Sequence, residues 1–363
     1  MADHIVATPR IEVSTLHKYI RKTVEPIYRK SVLMAELRKR GRISYNNGGD
    51  YMEWRPRIRR RDITAGNGNP VAISFPRTNT EMKVSLPWRQ YQMGESITKY
   101  EKLTTQNKAE TFFKIAEKVV KDMMDDFVES FRLKLFVDGG ANTKDIHGLE
   151  SMFSVDGVVT NGKVGNCNDT YAGKSTALGA LGGDWTPDSD DAWPTGTGKV
   201  EYHAWTPLVV DYQNSGWHGT TKDWKTTWKQ AIRFGTTYLG LLQKQEPDML
   251  LLTAEMVREM KDSLDDSDHF IVEVKPTTDV GYKMLTFEGL SIAYEYGVPD
   301  GCGYFLSFDA MELMSMQSQL VEKADDTDIT TSTDLIALDF YGNLRFEAPS
   351  YFGKLAAITP LGT

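Results

Sequence analysis

Leu285 to Leu313 reads LTFEGLSIAYEYGVPDGCGYFLSFDAMEL. Apolar and aromatic residues dominate this stretch, and Gly and Pro divide it. Met284–Tyr296, containing Gly289, predicts one extended segment, and Gly303–Phe308 predicts another. Val298-Pro299-Asp300-Gly301 supplies turn chemistry between them. Immediately upstream, Asp248 to Leu252 (DMLLL) predicts a short buried strand. Thr253 then has the side chain to cap a helix carrying Met256, Val257, Met260 and Leu264. Before that strand, a helix from Trp224 to about Leu242 is expected, capped by Asp223, with Trp228, Ala231, Ile232, Tyr238 and Leu239 on its buried side. A strand is also expected at Phe270–Val274. Helices interleaved with strands make this part α/β. Downstream, an acidic loop near Asp325–Asp328 precedes a strand at Leu335–Phe340. A final hairpin is expected to turn near Gly342-Asn343 and return through Phe346 to Tyr351.

Toward the N-terminus the pattern changes. Residues 108–137 predict the strongest helix of the chain. Phe112, Ile115, Ala116, Val119, Val120, Met123, Phe127 and Phe131 hold one face for its whole length. Asn107 and Glu110 have capping-box spacing, and Asp138-Gly139-Gly140 ends the run. Residues 44–100 predict a long β-ribbon, with arms Tyr51–Arg61 and Glu81–Ile97 and a loop tip rich in Gly, Asn and Pro. Neither arm reads as a clean apolar/polar alternation. Arg55, Arg57, Arg59 and Arg61 share one face of the first arm. Pro56 and Pro87 each remove a ladder donor, which favours edge positions. A lone two-stranded ribbon is marginal in water, so support from a neighbouring subunit is expected. Residues 12–40 predict a helix divided at Pro26 and stopped at Gly41, with Lys18, Arg21, Lys22, Arg29, Lys30, Arg38, Lys39 and Arg40 on its polar face. Residues 141–223 are rich in loop formers. Trp185, Trp193, Trp205, Trp217, Trp224 and Trp228 lie in or just after them, and anchor a long loop or stack on sugars.

The chain has 363 residues, 40% of them hydrophobic, which is enough for a sizeable core and excludes a disordered chain. No apolar run reaches the length of a membrane helix. With only Cys167 and Cys302, far apart, a disulfide scaffold and a cysteine zinc site are excluded. Residues 1–62 hold fifteen Lys/Arg against seven Asp/Glu, while the whole chain is at −8, so the remainder carries −16. A basic arm on an acidic body docks on nucleic acid, docks on the acidic body of a sister copy, or is simply solvated.

Motifs for chemistry fail one by one. The Gly173–Thr176 GKST has Asn168 where a phosphate loop needs its first Gly. Gly289-Leu290-Ser291-Ile292-Ala293 ends in Ala and lies in an extended stretch, unlike a nucleophile elbow. Asp188/Asp190, Asp266/Asp268 and Asp326/Asp328 are followed by Ala192, Phe270 and Thr330, so none completes a calcium loop. His4, His17, His147, His203, His218 and His269 include no pair with zinc-ligand spacing. No catalytic residue, metal ligand or cofactor site is therefore expected, and the missing constellation favours a structural protein over an enzyme.

Taken together, the basic terminal helix, long hairpin, very long helix and α/β body with a late returning strand resemble the major capsid proteins of tailed bacteriophages, the HK97-like fold. The sharpest likeness is Leu285–Leu313, joined by Ile146–Met152 (IHGLESM) and the closing LRFEAPSYFGKL. The resemblance implies an α+β chain with an N-terminal arm (1–43), an extended hairpin or E-loop (44–103), and a spine helix with the first part of a peripheral domain (104–160). It further implies a Trp-rich insertion (161–225), an axial domain (226–334) and C-terminal strands returning to the peripheral domain (335–363). Intersubunit contacts would fall to Trp54, Arg55, Arg57, Arg59, Arg61, Arg77, Lys83, Trp88, Arg29 and Arg38. Structural roles would fall to Phe112, Val119, Met123, Phe127, Gly289, Pro299 and Gly301. The implied function is an icosahedral shell of many identical copies, built from hexamers and pentamers in the host cytoplasm and enclosing double-stranded DNA without specific contacts. Implied partners are a portal, a separate scaffolding protein or none, since only about ten residues precede the first helix, and in some members a decoration protein. Asp50–Asn79 contains no Lys, so the covalent crosslink of some family members is not expected. Alternatives are a nanocompartment or gene-transfer-particle shell, a glycan-binding or glycan-hydrolysing protein using the Trp-rich stretch, and a nucleic-acid binder using the arginines.

Overall fold

The computed structural model describes residues 31–61, 77–100, 109–160, 163–186, 193–219, 221–242, 246–265, 274–276, 283–328 and 333–358. Four α-helices fall among them: α1 (Val32–Lys39), α2 (Ala109–Lys134), α3 (Trp224–Leu242) and α4 (Ala254–Asp265). The expected capping box of α2, Arg29, and the helix before Ser31 lie outside the described residues.

The strands run in chain order as β1 (Ile43–Ser44), β2 (Tyr51–Trp54), β3 (Val84–Pro87), β4 (Arg89–Thr98), β5 (Val155–Thr160), β6 (Val164–Cys167), β7 (Thr170–Tyr171), β8 (Lys174–Ser175), β9 (Trp185–Thr186) and β10 (Thr197–Gly198). They continue as β11 (Leu208–Asp211), β12 (Met249–Leu252), β13 (Val274–Pro276), β14 (Lys283–Phe287), β15 (Leu290–Tyr294), β16 (Gly303–Leu306), β17 (Met311–Ser315), β18 (Glu322–Asp328), β19 (Thr333–Phe346) and β20 (Gly353–Ala356).

A nine-stranded mixed sheet, in the order β13-β14-β15-β12-β16-β20-β11-β6-β5, forms the larger body. Its centre is buried on both faces, which is why DMLLL reads as a continuous apolar run. Alternate residues face opposite layers. Leu250, Leu252, Ile292, Phe305 and Leu355 pack with Trp228, Ala231, Ile232 and Leu239 of α3 and Met256, Val257 and Met260 of α4. Met249, Leu251, Ala293, Tyr304 and Leu306 face the other core, shared with α2 and the second sheet. Both predicted caps form: the Thr226 amide donates to the Asp223 carboxylate at 3.1 Å, and the Met256 amide to the Thr253 hydroxyl at 3.3 Å.

The second sheet is organised around β19. β4 pairs along one edge, from Thr333↔Thr98 to Gly342↔Arg89, while β17 and β18 pair along the other. Helix α2, about 39 Å long at 1.5 Å per residue, packs against this sheet through its aromatic residues. Phe131 meets Phe340 with ring centroids 4.8 Å apart, and Tyr91 stacks on the same ring at 6.1 Å.

The structure departs from the sequence expectations at several places. Met284–Tyr296 is a hairpin, because Glu288 and Gly289 both take positive φ (49° and 87°) and so form a tight two-residue turn between β14 and β15. The acidic loop is a strand, β18, whose carboxylates decorate a sheet edge. No turn occurs at Gly342-Asn343, which lie inside the continuous strand β19. A Cβ at Gly342 would stand 2.4 Å from the Met314 carbonyl oxygen and 2.8 Å from the Phe340 ring, so this glycine serves close packing. The return arm Glu81–Ile97 divides at Trp88: β3 pairs with β2, but β4 belongs to the second sheet.

Candidate assembly surface

The ribbon base alternates after all. Met52, Pro56 and Ile58 from one arm and Met82, Val84 and Leu86 from the other are buried, while Glu53, Arg55, Arg57, Arg59, Arg60 and Arg61 are exposed. Trp54 lies between these classes, half-buried on the apolar side. The expected support from a neighbour is therefore supplied, for the described residues, by the chain's own core. The arginines obscure a period of two that the apolar residues keep on the opposite face.

Both tryptophans singled out from sequence tether this ribbon. Trp54 Nε1 donates to the Glu347 carbonyl at 2.9 Å, and the Arg345 guanidinium lies 5.8 Å from its ring centre. Trp88 Nε1 donates to the Gly49 carbonyl at 2.8 Å. Lys83 pairs with Glu53 across the ribbon at 2.7 Å, both side chains being about half exposed. Arg57 Nε donates to the Arg59 carbonyl at 3.4 Å, and Arg59 to the Leu181 carbonyl at 3.2 Å. Arg55, Arg61 and Arg77 stand exposed, as does Arg38 on the outer side of α1.

Several polar residues the sequence reading passed over fix these pieces in place. Helix α1 buries Val32 through Leu37. Its first turn is held by Glu295 on the far side of the chain, whose carboxylate accepts from the Leu33 amide at 3.0 Å. Burial raises the Glu295 carboxyl above its ordinary pKa, against the opposing pull of Leu33, Ser31 and Arg132. The far end of α1 is held by Arg40, which bonds Asp248 at 2.9 Å, and by Arg42, which pairs with Asp309. So the described part of the basic arm docks on acidic groups of its own body. The helix closes with a pair of bonds, Gly41 N–H to Arg38 O and Arg42 N–H to Leu37 O, at a left-handed Gly41.

Two more connectors join β4, α2 and β19. Asp145 accepts from Lys134 Nζ at 2.5 Å, Asn142 at 2.7 Å and the Tyr91 hydroxyl at 3.0 Å. Burial alone would raise this carboxyl, but the three donors outweigh it and hold it below the ordinary range. Asn343 is fully buried. Its Nδ2 donates to the Pro87 carbonyl at 2.9 Å and lies 2.9 Å from His147 Nδ1, while its Oδ1 accepts from the His147 amide at 2.8 Å. Burial pushes His147 down to about 4, helped by the Arg89 charge. Asp145 reaches Tyr91 across 54 positions, and Asn343 reaches His147 and Pro87 across 196 and 256, and no local motif marks these pairings.

The structural residues fall as follows. Met123 and Phe127 are buried and Val119 partly so on α2. Gly289 makes the hairpin turn described above. Pro299 accepts the turn bond from the Cys302 amide, and Gly301, at φ 67°, receives the Tyr212 hydroxyl on its carbonyl at 3.0 Å. The side chain of Phe112 lies outside the described residues.

All six tryptophans of the loop-rich region and its flank are buried, which favours anchoring over sugar stacking. Lys174 and Ser175 of the GKST lie in the two-residue ladder of β7 and β8, and Ser291 is a strand residue in β15. Among the described residues no group of His, Cys, Asp or Glu is placed to hold a metal, and no helix is long and apolar enough to cross a membrane. What the arrangement offers is a two-sheet body with an exposed arginine face along the ribbon base.

No protein-family model matches the sequence, and no curated protein does. Solved structures do. A chain of the cyanophage A-1(L) capsid aligns with a TM-score of 0.50 at 15% identity, covering 87% of this chain and 90% of that one. The capsid of the empty GTA particle gives 0.52 at 11% identity, covering 88% and 96%. The native GTA particle capsid gives 0.51 at 11% identity, covering 88% and 89%. This chain has the fold of those capsid proteins.

Proposed function

We propose that this chain, folded as a phage capsid protein, is the major capsid protein of a tailed double-stranded DNA bacteriophage. It self-assembles through hexamers and pentamers into an icosahedral shell around the genome. The observation that carries this reading is a capsid fold spanning nearly the whole length of both aligned chains, combined with a ribbon whose arginine face has no carboxylate partner among the described residues.

In this reading residues 1–43 are the N-terminal arm, 44–103 an E-loop reaching over a neighbour, and α2 the spine of a peripheral domain spanning 104–160. The 161–225 insertion follows, then an axial domain at 226–334 facing capsomer centres, and 335–363 returns to the periphery. The contact residues are the exposed Arg55, Arg57, Arg59, Arg61, Arg77 and Arg38, with Arg29 in the arm and Lys83 at the ribbon base. Trp54 and Trp88 serve the interface by holding the ribbon to its own body. A single interface of about 1,600 Å² is modest, but repetition around a closed shell makes the assembly hard to take apart. The role is structural, with no catalytic centre. The shell forms in the host cytoplasm with a separate scaffolding protein, a portal and a decoration protein, and touches packaged DNA only by proximity.

Negative-stain microscopy of the overexpressed chain, with sedimentation at several concentrations, tests the proposal. Closed shells or five- and six-fold rings are expected. A monomer that persists at high concentration overturns it.

A further inference from the structure

We propose that the cleft at the foot of the arginine-faced ribbon is a binding site for a diphosphate or triphosphate group. The cleft has a volume of about 500 Å³ and is bordered by Arg57, Arg59, Arg60 and Arg61 on one side and by His203 and Tyr351 on the other. Successive residues of an extended chain point to opposite sides, yet all four arginines border this one space. None of the four has a carboxylate partner among the described residues. Among the described residues on the border the one carboxylate is that of Glu347, so arginines outnumber carboxylates there.

That excess selects the class of ligand. One carboxylate brings a single negative charge, whereas a phosphate monoester carries about −1.5 to −2 near neutrality and a diphosphate more. Guanidinium forks also match phosphate oxygens two at a time. The wall opposite the arginines is built rather than incidental. His203 is 5% exposed, stands edge-on to Trp185 at 5.3 Å between ring centres, and keeps its Nδ1 without a hydrogen-bond partner. A second polar wall is supplied by Ser350 and the Tyr351 turn. The arginine wall is itself fixed at Arg59 by the Leu181 carbonyl and at Arg57 by the Arg59 carbonyl. Arg60 is close enough to His203 for its charge to help burial hold the imidazole down at about 4. A bound phosphate group would offset that charge, so His203 reports occupancy.

The test is calorimetric titration of the full-length chain with inorganic pyrophosphate at constant ionic strength, beside malonate as a dicarboxylate of similar size. Pyrophosphate is expected to bind at least tenfold more tightly than malonate. The Arg57→Ala/Arg60→Ala variant, altered only at exposed side chains, should lose at least tenfold, while Lys261→Ala, at an exposed position away from the cleft, should leave affinity unchanged. The His203 imidazole nitrogen signals should move on addition of pyrophosphate to the parent chain and stay still in the double variant. Equal affinity for malonate, undiminished binding by the arginine variant, or complete displacement of pyrophosphate by a short DNA duplex at equal phosphate concentration would each overturn the proposal.

Discussion

Asn343 shows how far a residue's role can depart from its local signal. Next to Gly342 it has the chemistry of a hairpin turn, but its side chain is spent on Pro87 and His147 in the interior. A local reading has no access to a partner 196 residues away. The same junction makes a prediction about pH. His147 has an ordinary value of 6.5 and is pushed down to about 4 by burial and by Arg89, so the folded chain prefers it neutral. The unfolded chain binds the proton first. Stability is therefore fully present above about pH 6.5 and is lost as pH falls toward 4, by up to about 3 kcal/mol for this one group. Asp145 has the opposite charge but acts in the same direction, since its lowered carboxyl favours folding above the ordinary carboxylate range. Urea unfolding at pH 7, 5.5 and 4.5 should show a fall in midpoint. His147→Gln, which can keep a bond to Asn343 without titrating, should flatten part of that fall between pH 6.5 and 4.5. An unchanged slope would show that His147 does not contribute.

Among the elements, those closed by their own neighbours were legible in advance. Helix α3 begins after Asp223 and ends at Leu242 as the cap and apolar spacing require, and α4 follows Thr253 in the same way. Less legible were elements defined by distant partners: the alternating ribbon arm behind its arginines, and β18, whose acidic composition looks like solvated loop until β19 pairs with it. Helix α1 belongs to both groups. Its stop at Gly41 is local, but its start rests on Glu295, 262 residues away from Leu33. Glu295→Gln keeps the shape while weakening the acceptor, so α1 should loosen from the body by about 1–2 kcal/mol, the difference between a charged and a neutral hydrogen bond. Trypsin cleavage at Arg38, Lys39 and Arg40 should accelerate several-fold relative to cleavage elsewhere. Cleavage at the parent rate would mean that the apolar face of α1 alone holds it.

For the whole molecule, the question is which parts a single copy completes by itself. The sequence suggested that arm and ribbon both wait for neighbours, but the described base of each is built into its own chain. Met52, Val84 and Leu86 belong to the main core, and Thr80 accepts bonds from the Ile58 and Arg59 amides. A body closed in this way should fold without residues 62–76, which makes assembly separable from folding. Replacing residues 62–76 with a Gly/Ser linker of equal length keeps every described contact of the base. The expected product has the parent's unfolding midpoint within about 0.5 kcal/mol, as for a surface change, but forms shells or rings only at much higher concentration, as sedimentation would show. The two readouts matter together. A lost midpoint would place the segment in the fold rather than in the interface, and parent-like assembly would remove the ribbon from the set of contacts that hold neighbouring copies. Only a stable chain that assembles poorly fits residues 62–76 acting between copies rather than within one.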